Sequence, residues 1–245
     1  MALHLKFLKK LEYQRNQRGI VKRYLRETDT WAVHLENTKS FILDSANNKH
    51  KGTAMVLGSG WLLDIPLEAL SAMFNKVYLI DIVHPPQIIQ RIKKFENVWV
   101  ENIDLLEVSS SAFHTAYQQG PSAGFISLLS QADFIISANL LTQLEIPLLK
   151  KNKKKSSKKN INDGLISQKI QQHHLDLLPA KKTCLITETM EYLYDRNDVL
   201  VREDRLMHAD IPPSAFTKEW IWEFDTTFTY YDHYKRHLLV KAADI

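Results

Sequence analysis

Between Thr53 and Asp81 the chain reads TAMVLGSGWLLDIPLEALSAMFNKVYLID. A short apolar run, Ala54 to Leu57, ends in the glycine turn Gly58-Ser59-Gly60, and a second apolar run, Val77 to Ile80, ends on the carboxylate of Asp81. Glycine adopts backbone angles closed to other residues, and its missing side chain lets a ligand approach the main chain closely. An acid at the tip of the second run can accept hydrogen bonds from ribose hydroxyls. Together these residue types suit the binding of a nucleoside. The elements that must position them are a strand, a turn, a helix and a second strand, in that order. Asp64 reads as the N-cap of the intervening helix, with Pro66 in its first turn and Glu68 where a carboxylate suits the helix's positive end.

The turn narrows the choice of nucleoside. A dinucleotide fingerprint needs a third glycine three residues after the second, for close packing of helix on strand. Leu63 occupies that position, which argues against an NAD-linked oxidoreductase, the nicotinamide alternative on the same general fold. No Gly-Lys-Ser/Thr follows, so a Walker phosphate loop is excluded. The segment resembles motif I and the following acid of class I S-adenosylmethionine-dependent methyltransferases. That resemblance implies a doubly wound, seven-stranded, mostly parallel α/β sheet. It also implies S-adenosylmethionine as cofactor and S-adenosylhomocysteine as product. Gly58, Ser59 and Gly60 would face the methionine moiety and Asp81 the ribose, with the adjacent Ile82 in the same cofactor-binding set. Asp104 would meet the adenine, and Asn139 and Leu140 the reacting edge. The family often starts motif I with an acid two residues before the first glycine; Val56 stands there in this chain.

The resemblance runs from about residue 50 to the end. Asn97 to Glu101 reads as a third strand, Ala132 to Ser137 as a fourth and Thr183 to Thr187 as a fifth. Trp222 to Tyr230 and Arg236 to Lys241 would supply the sixth strand and an antiparallel seventh. Residues 1–48 read as an N-terminal helical extension and 49–245 as the methyltransferase-like domain. Leu3, Phe7, Leu11, Val21 and Leu25 recur near helical spacing, and a second helix is expected from Trp31 to about Ser45. Such helices either shape an acceptor site or simply cover a sheet face.

A chain of 245 residues with 44% hydrophobic and 24% charged content can bury a large single core. No apolar run is long enough to span a bilayer, and the start, MALHLKFLKK, is too short and too charged for a secretory signal, so a cytoplasmic address is the default expectation. The formal charge of +4 is unevenly spread: Lys150 to Lys159 holds seven lysines and no acid. This tract, within a Lys-rich surface loop expected at 150–160, is either a solvated spacer kept open by self-repulsion or an electrostatic clamp for RNA. No aromatic residue interleaves with it to stack on bases.

The histidines show no zinc spacing, and no metal is expected. His84, in Asp81-Ile82-Val83-His84-Pro85-Pro86, is either a cofactor contact or a loop-packing residue. The single cysteine, Cys184, falls within the expected fifth strand and suits a buried, inert thiol. Asn139, Gln143, Glu188, Glu191 and Tyr192 bring polar groups to the methyl-transfer zone, but none forms an acceptor motif: Ser137-Ala138-Asn139-Leu140 stands where amino-methyltransferases of nucleic acid carry (Asn/Asp)-Pro-Pro-(Tyr/Phe). The sequence thus points to methyl transfer to an unidentified acceptor. A non-catalytic module binding RNA or an acidic partner is the alternative. Neither a catalytic residue nor an oligomeric state is assigned.

Overall fold

The computed structural model describes residues 2–105, 122–155, 163–214 and 216–245. Two helices open the chain: α1 (Ala2–Arg26) and α2 (Thr28–Asn47). The alternating core begins with β1 (Thr53–Leu57), α3 (Leu67–Met73), β2 (Lys76–Asp81), α4 (Pro86–Ile92) and β3 (Val98–Asn102). It continues through α5 (Ser122–Gln131), β4 (Phe134–Ala138), α6 (Ile146–Lys155), α7 (Asp163–Leu177) and β5 (Thr183–Tyr194). Three strands close the described chain: β6 (Leu200–Arg205), β7 (Phe216–Asp225) and β8 (Lys235–Asp244).

The strands form one open sheet in the order β3-β2-β1-β4-β5-β8-β7, with β6 paired to β5 off that path. β1 to β5 run parallel. β8 opposes both β5 and β7, so β7 regains the direction of the central strands. This order and polarity are those of the class I methyltransferase fold. The sheet exceeds the seven expected strands by one, because β5 is longer than its apolar core. Its first half pairs with β4, and beyond that Met190 to Tyr194 pair with β6 in a hairpin.

Alternation along the strands divides the core between the two sheet faces. Ala54 and Val56 join Trp31, Phe41, Leu67, Leu70 and Ile88 on the side of α2, α3 and α4. Met55 and Leu57 join Phe125, Leu129, Ile170 and Leu175 on the side of α5 and α7. Each fully buried large side chain contributes about 1.5–3 kcal/mol of hydrophobic transfer. α2 commits Trp31, Phe41 and Ile42 in this way, which fixes it to the sheet. No described helix is long and apolar enough to cross a membrane.

Two local expectations are corrected. α3 begins at Leu67 with Pro66 at its N-cap and no side-chain cap, so Asp64 is not the cap. Leu62 takes φ +54° just before it, which swings Asp64 away from the helix and toward β4. The lysine tract is not a loop in its first part, since α6 continues through Lys155; residues 156–162 lie outside the described set.

Candidate active site

The carboxyl ends of β1, β2, β3 and β4 meet along one edge, and every residue that the motif reading selected lies on it. Gly58 and Gly60 both take left-handed angles, φ +73° and +46°. Their roles differ. A Cβ on Gly58 would stand 3.0 Å from Leu140 Cδ1, so the glycine is needed for the approach of the β4 loop as well as for the turn. A Cβ on Gly60 would meet nothing closer than 3.8 Å, so no side chain crowds this part of the turn. The turn is tied to β2 by Gly58 N–H and Ser59 N–H donating to Ile80 O at 2.8 and 3.1 Å.

Asp81 completes this unit. Gly60 N–H donates to its Oδ2 at 2.8 Å, and Ile82 N–H to its Oδ1 at 2.7 Å. Burial pushes the Asp81 carboxyl above the usual carboxylate range, opposed by these backbone donors and by nearby His84. The hydrogen-bonded geometry holds the side chain across the mouth of the glycine turn. His84 acts as a bracket: its Nε2 lies 3.1 Å from Ser59 Oγ, and its Nδ1 lies 3.2 Å from Asn102 Oδ1 at the tip of β3. His84 thereby links the tips of β1, β2 and β3 (the loop-packing role among its two expected ones). Asp104 follows β3 by two residues and is half-buried at the same edge.

Helix α1 passes over this edge. Gln17 donates through Nε2 to Val83 O at 2.9 Å and accepts through its main-chain oxygen from Trp61 Nε1 at 3.0 Å. One residue therefore joins the helix to the loops after both β1 and β2.

The β4 side is built from residues far apart in sequence. Asn139 takes φ +51°, a conformation that asparagine tolerates better than most residues. Its N–H donates to Ile186 O at 2.8 Å. Its side-chain amide lies 2.6 Å from Asp64 Oδ2 and 3.2 Å from His34 Nε2 of α2. His34 is stacked flat on Trp222, with ring centroids 3.7 Å apart, and its Nδ1 accepts from Trp220 Nε1 at 3.1 Å. Burial pushes His34 down to about 3, so the imidazole is neutral at physiological pH. The partners of His34 lie far away in sequence, just after β4 and on β7.

Beyond Asn139, buried carboxylates line the inner end of β5. Glu188 Oε2 accepts from Thr142 Oγ1 at 2.7 Å, and burial pushes its carboxyl up. Glu145 accepts from Gln171 Nε2 at 2.9 Å and is pushed up to about 8 by burial, with nearby Glu188 adding to the shift. Glu191 pairs with the Arg236 guanidinium. Gln143 turns back to donate to Asn139 O, so it buttresses that residue. Cys184 is fully buried, and desolvation pushes its thiol well up, as an inert core cysteine requires. Among the described residues no group of three or more His, Cys, Asp or Glu could hold a metal ion.

No protein-family model matches the chain, and no curated protein matches it. Among solved structures it is similar to a 1,6-didemethyltoxoflavin-N1-methyltransferase of Burkholderia thailandensis, with 11% identity, 95% of this chain and 89% of that chain covered, and a TM-score of 0.43. It is also similar to DhpI, with 10% identity, 96% of each chain covered and a TM-score of 0.41. A precorrin-6y C5,15-methyltransferase of Geobacter metallireducens gives 9%, 84% and 87%, and 0.33. Strand order and register carry the fold assignment.

Proposed function

We propose that this chain binds S-adenosylmethionine at the edge formed by β1, β2 and β4 and transfers its methyl group to an acceptor held under α1 and α2. The observation that supports this most is the coupling of the glycine turn to the β2 acid. Gly60 N–H holds Asp81 Oδ2, so the two features of the motif form one hydrogen-bonded unit at the carboxyl edge of a parallel sheet. Ligands of open α/β sheets bind at that edge.

The residues present fit the cofactor. The uncrowded turn at half-buried Gly60 suits the methionine moiety, and the Asp81 carboxylate would accept from ribose hydroxyls, exchanging a backbone donor for a ligand one. Ile82 follows it; Asp104 would meet the adenine, and Asn139 with Leu140 would border the reacting carbon. The cofactor, when bound, supplies an electrophilic methyl group on a sulfonium. The chain's own contribution is alignment: fixing an acceptor atom in line with that carbon supplies much of the rate without a covalent enzyme intermediate. Leu63, at the third-glycine position, is partly buried against the α2 core and opposes a dinucleotide.

Calorimetric titration with S-adenosylhomocysteine, with NAD in parallel, tests this reading. Saturable binding of the first alone supports it. Failure of a folded protein to bind overturns it in favour of a non-catalytic binding module.

A further inference from the structure

The contacts around Asn139 fix where its protons are. An indole N–H only donates, so His34 Nδ1, 3.1 Å from Trp220 Nε1, is an acceptor and carries no proton. A neutral imidazole then carries its proton on Nε2, and Nε2–H must donate. What it faces, at 3.2 Å, is one terminal atom of the Asn139 amide. That atom is the amide oxygen, because the amide nitrogen there would point N–H at N–H. Oxygen and nitrogen exchange places by a half-turn of the amide, and the hydrogen-bond network decides between them.

The same atom lies 2.6 Å from Asp64 Oδ2. Two acceptor oxygens at that distance need a proton between them, and it belongs to Asp64. Desolvation favours the same state, since burial pushes the Asp64 carboxyl upward. Trp220, His34 and Asp64 therefore form two donor arms that clamp the Asn139 oxygen. The backbone of Asn139 is held as well, by Ile186 O and by Gln143.

The other terminal atom of the amide is buried and has no hydrogen-bond partner in the protein. With the oxygen clamped, this position carries the NH₂. A buried, unpaired donor pair is unusual in a folded protein and calls for an explanation. It lies on the residue that follows β4, beside the Leu140 side chain that covers Gly58.

We propose that Asn139 is a specificity-determining residue that offers its amide N–H groups, not its oxygen, to the methyl acceptor, held so by His34 Nε2–H and the Asp64 hydroxyl. The acceptor class is then a molecule presenting a hydrogen-bond-accepting atom, a carbonyl oxygen or an unprotonated ring nitrogen, next to its attacking atom. An exocyclic NH₂ at that place would meet donors with donors and be disfavoured. The identity of the ligand rests on the methyl-transfer reading; the proton positions do not.

The test uses the full chain labelled with ¹⁵N-histidine, ¹⁵N-asparagine and ¹³C-aspartate. Long-range ¹H–¹⁵N spectra are expected to show His34 as the neutral Nε2–H tautomer. The Asp64 carboxyl is expected to be protonated at neutral pH, where unperturbed carboxylates are ionised. An Nδ1–H tautomer, or an ionised Asp64 at neutral pH, would overturn the proposal. Saturation with S-adenosylhomocysteine then separates two sources of the accepting atom. Unmoved Asn139 side-chain amide resonances support the methyl acceptor, whereas a large shift assigns the contact to the cofactor's carboxylate and overturns that choice. If S-adenosylhomocysteine does not bind, the methyl-transfer reading and the ligand assignment fail together, while the His34 and Asp64 signals still decide the proton order.

Discussion

Replacing Glu27 measures how firmly the N-terminal helices are locked over the site. Glu27 sits at the α1–α2 elbow with 2% of its surface exposed. Its Oε1 accepts from Thr226 N–H at 3.3 Å, from Thr227 N–H at 3.2 Å and from Thr227 Oγ1 at 2.5 Å. Its Oε2 accepts from Thr226 Oγ1 at 2.7 Å and from Thr30 Oγ1 at 3.3 Å. Hydrogen bonds to a charged group contribute roughly 1.5–3 kcal/mol each, but bonds that share one carboxylate do not add. Glu27→Ala is therefore expected to cost about 3 kcal/mol. Glu27→Gln should cost about 1 kcal/mol, because one oxygen remains for the two amides while the hydroxyls facing the new NH₂ rotate to accept.

The assay is equilibrium unfolding in urea, comparing both variants with the parent at neutral pH and in acid. Hydrogen bonding from the threonines outweighs desolvation and holds the Glu27 carboxyl below its ordinary 4.5. A carboxylate whose folded value is depressed stabilises above its unfolded value, and that stability is lost as pH falls through the folded one. The gap between parent and Glu27→Gln should thus be full at neutral pH and shrink below about pH 4.5. An Ala variant within about 0.5 kcal/mol of the parent, with an unchanged denaturant slope, would refute the elbow lock.

Three further outcomes are expected. Asp81→Ala should weaken S-adenosylhomocysteine by about 1.5–3 kcal/mol, on the order of tenfold to a hundredfold in calorimetric Kd, and an unchanged Kd removes Asp81 from the site. Gly58→Ala should lower stability by roughly 1–3 kcal/mol in thermal or urea unfolding, since the new Cβ would be strained at φ +73° and press on Leu140. Cys184 should resist a bulky thiol reagent in the native protein and react only on unfolding; rapid native labelling would contradict its burial.

The sheet's central half was legible because β1, the glycine turn and β2 lie within 29 consecutive residues and their signals are local. β6 was not. Leu200–Arg205 carries four charged residues and no buried side chain, so no apolar alternation marks it. A turn signal existed in Asp195-Arg196-Asn197-Asp198, where Asp195 Oδ1 collects Asn197 N–H and Val199 N–H and Asp198 takes φ +60°. The placing of Gly58, Ser59, Gly60 and Asp81 at one sheet edge was legible for the same reason as the central strands: the motif and the strand ends coincide. The cluster around Asn139 was hidden by sequence distance. His34 meets Asn139 across 105 positions and Trp220 across 186, and Asp64 meets Asn139 across 75. Locally, Asp64 before Pro66 carries every sign of an N-cap. Only the positive φ of Leu62 and the partner just after β4 redirect it, and neither is written in the neighbouring residues.

The most direct measurement is calorimetric titration of the folded protein with S-adenosylhomocysteine and, separately, with NAD. The glycine turn braced by Asp81, with Leu63 where a dinucleotide site needs glycine, predicts saturable binding of S-adenosylhomocysteine at about micromolar Kd, roughly −8 kcal/mol, and none of NAD. Binding of NAD alone, or of neither compound, would contradict the assignment of this edge to methyl transfer.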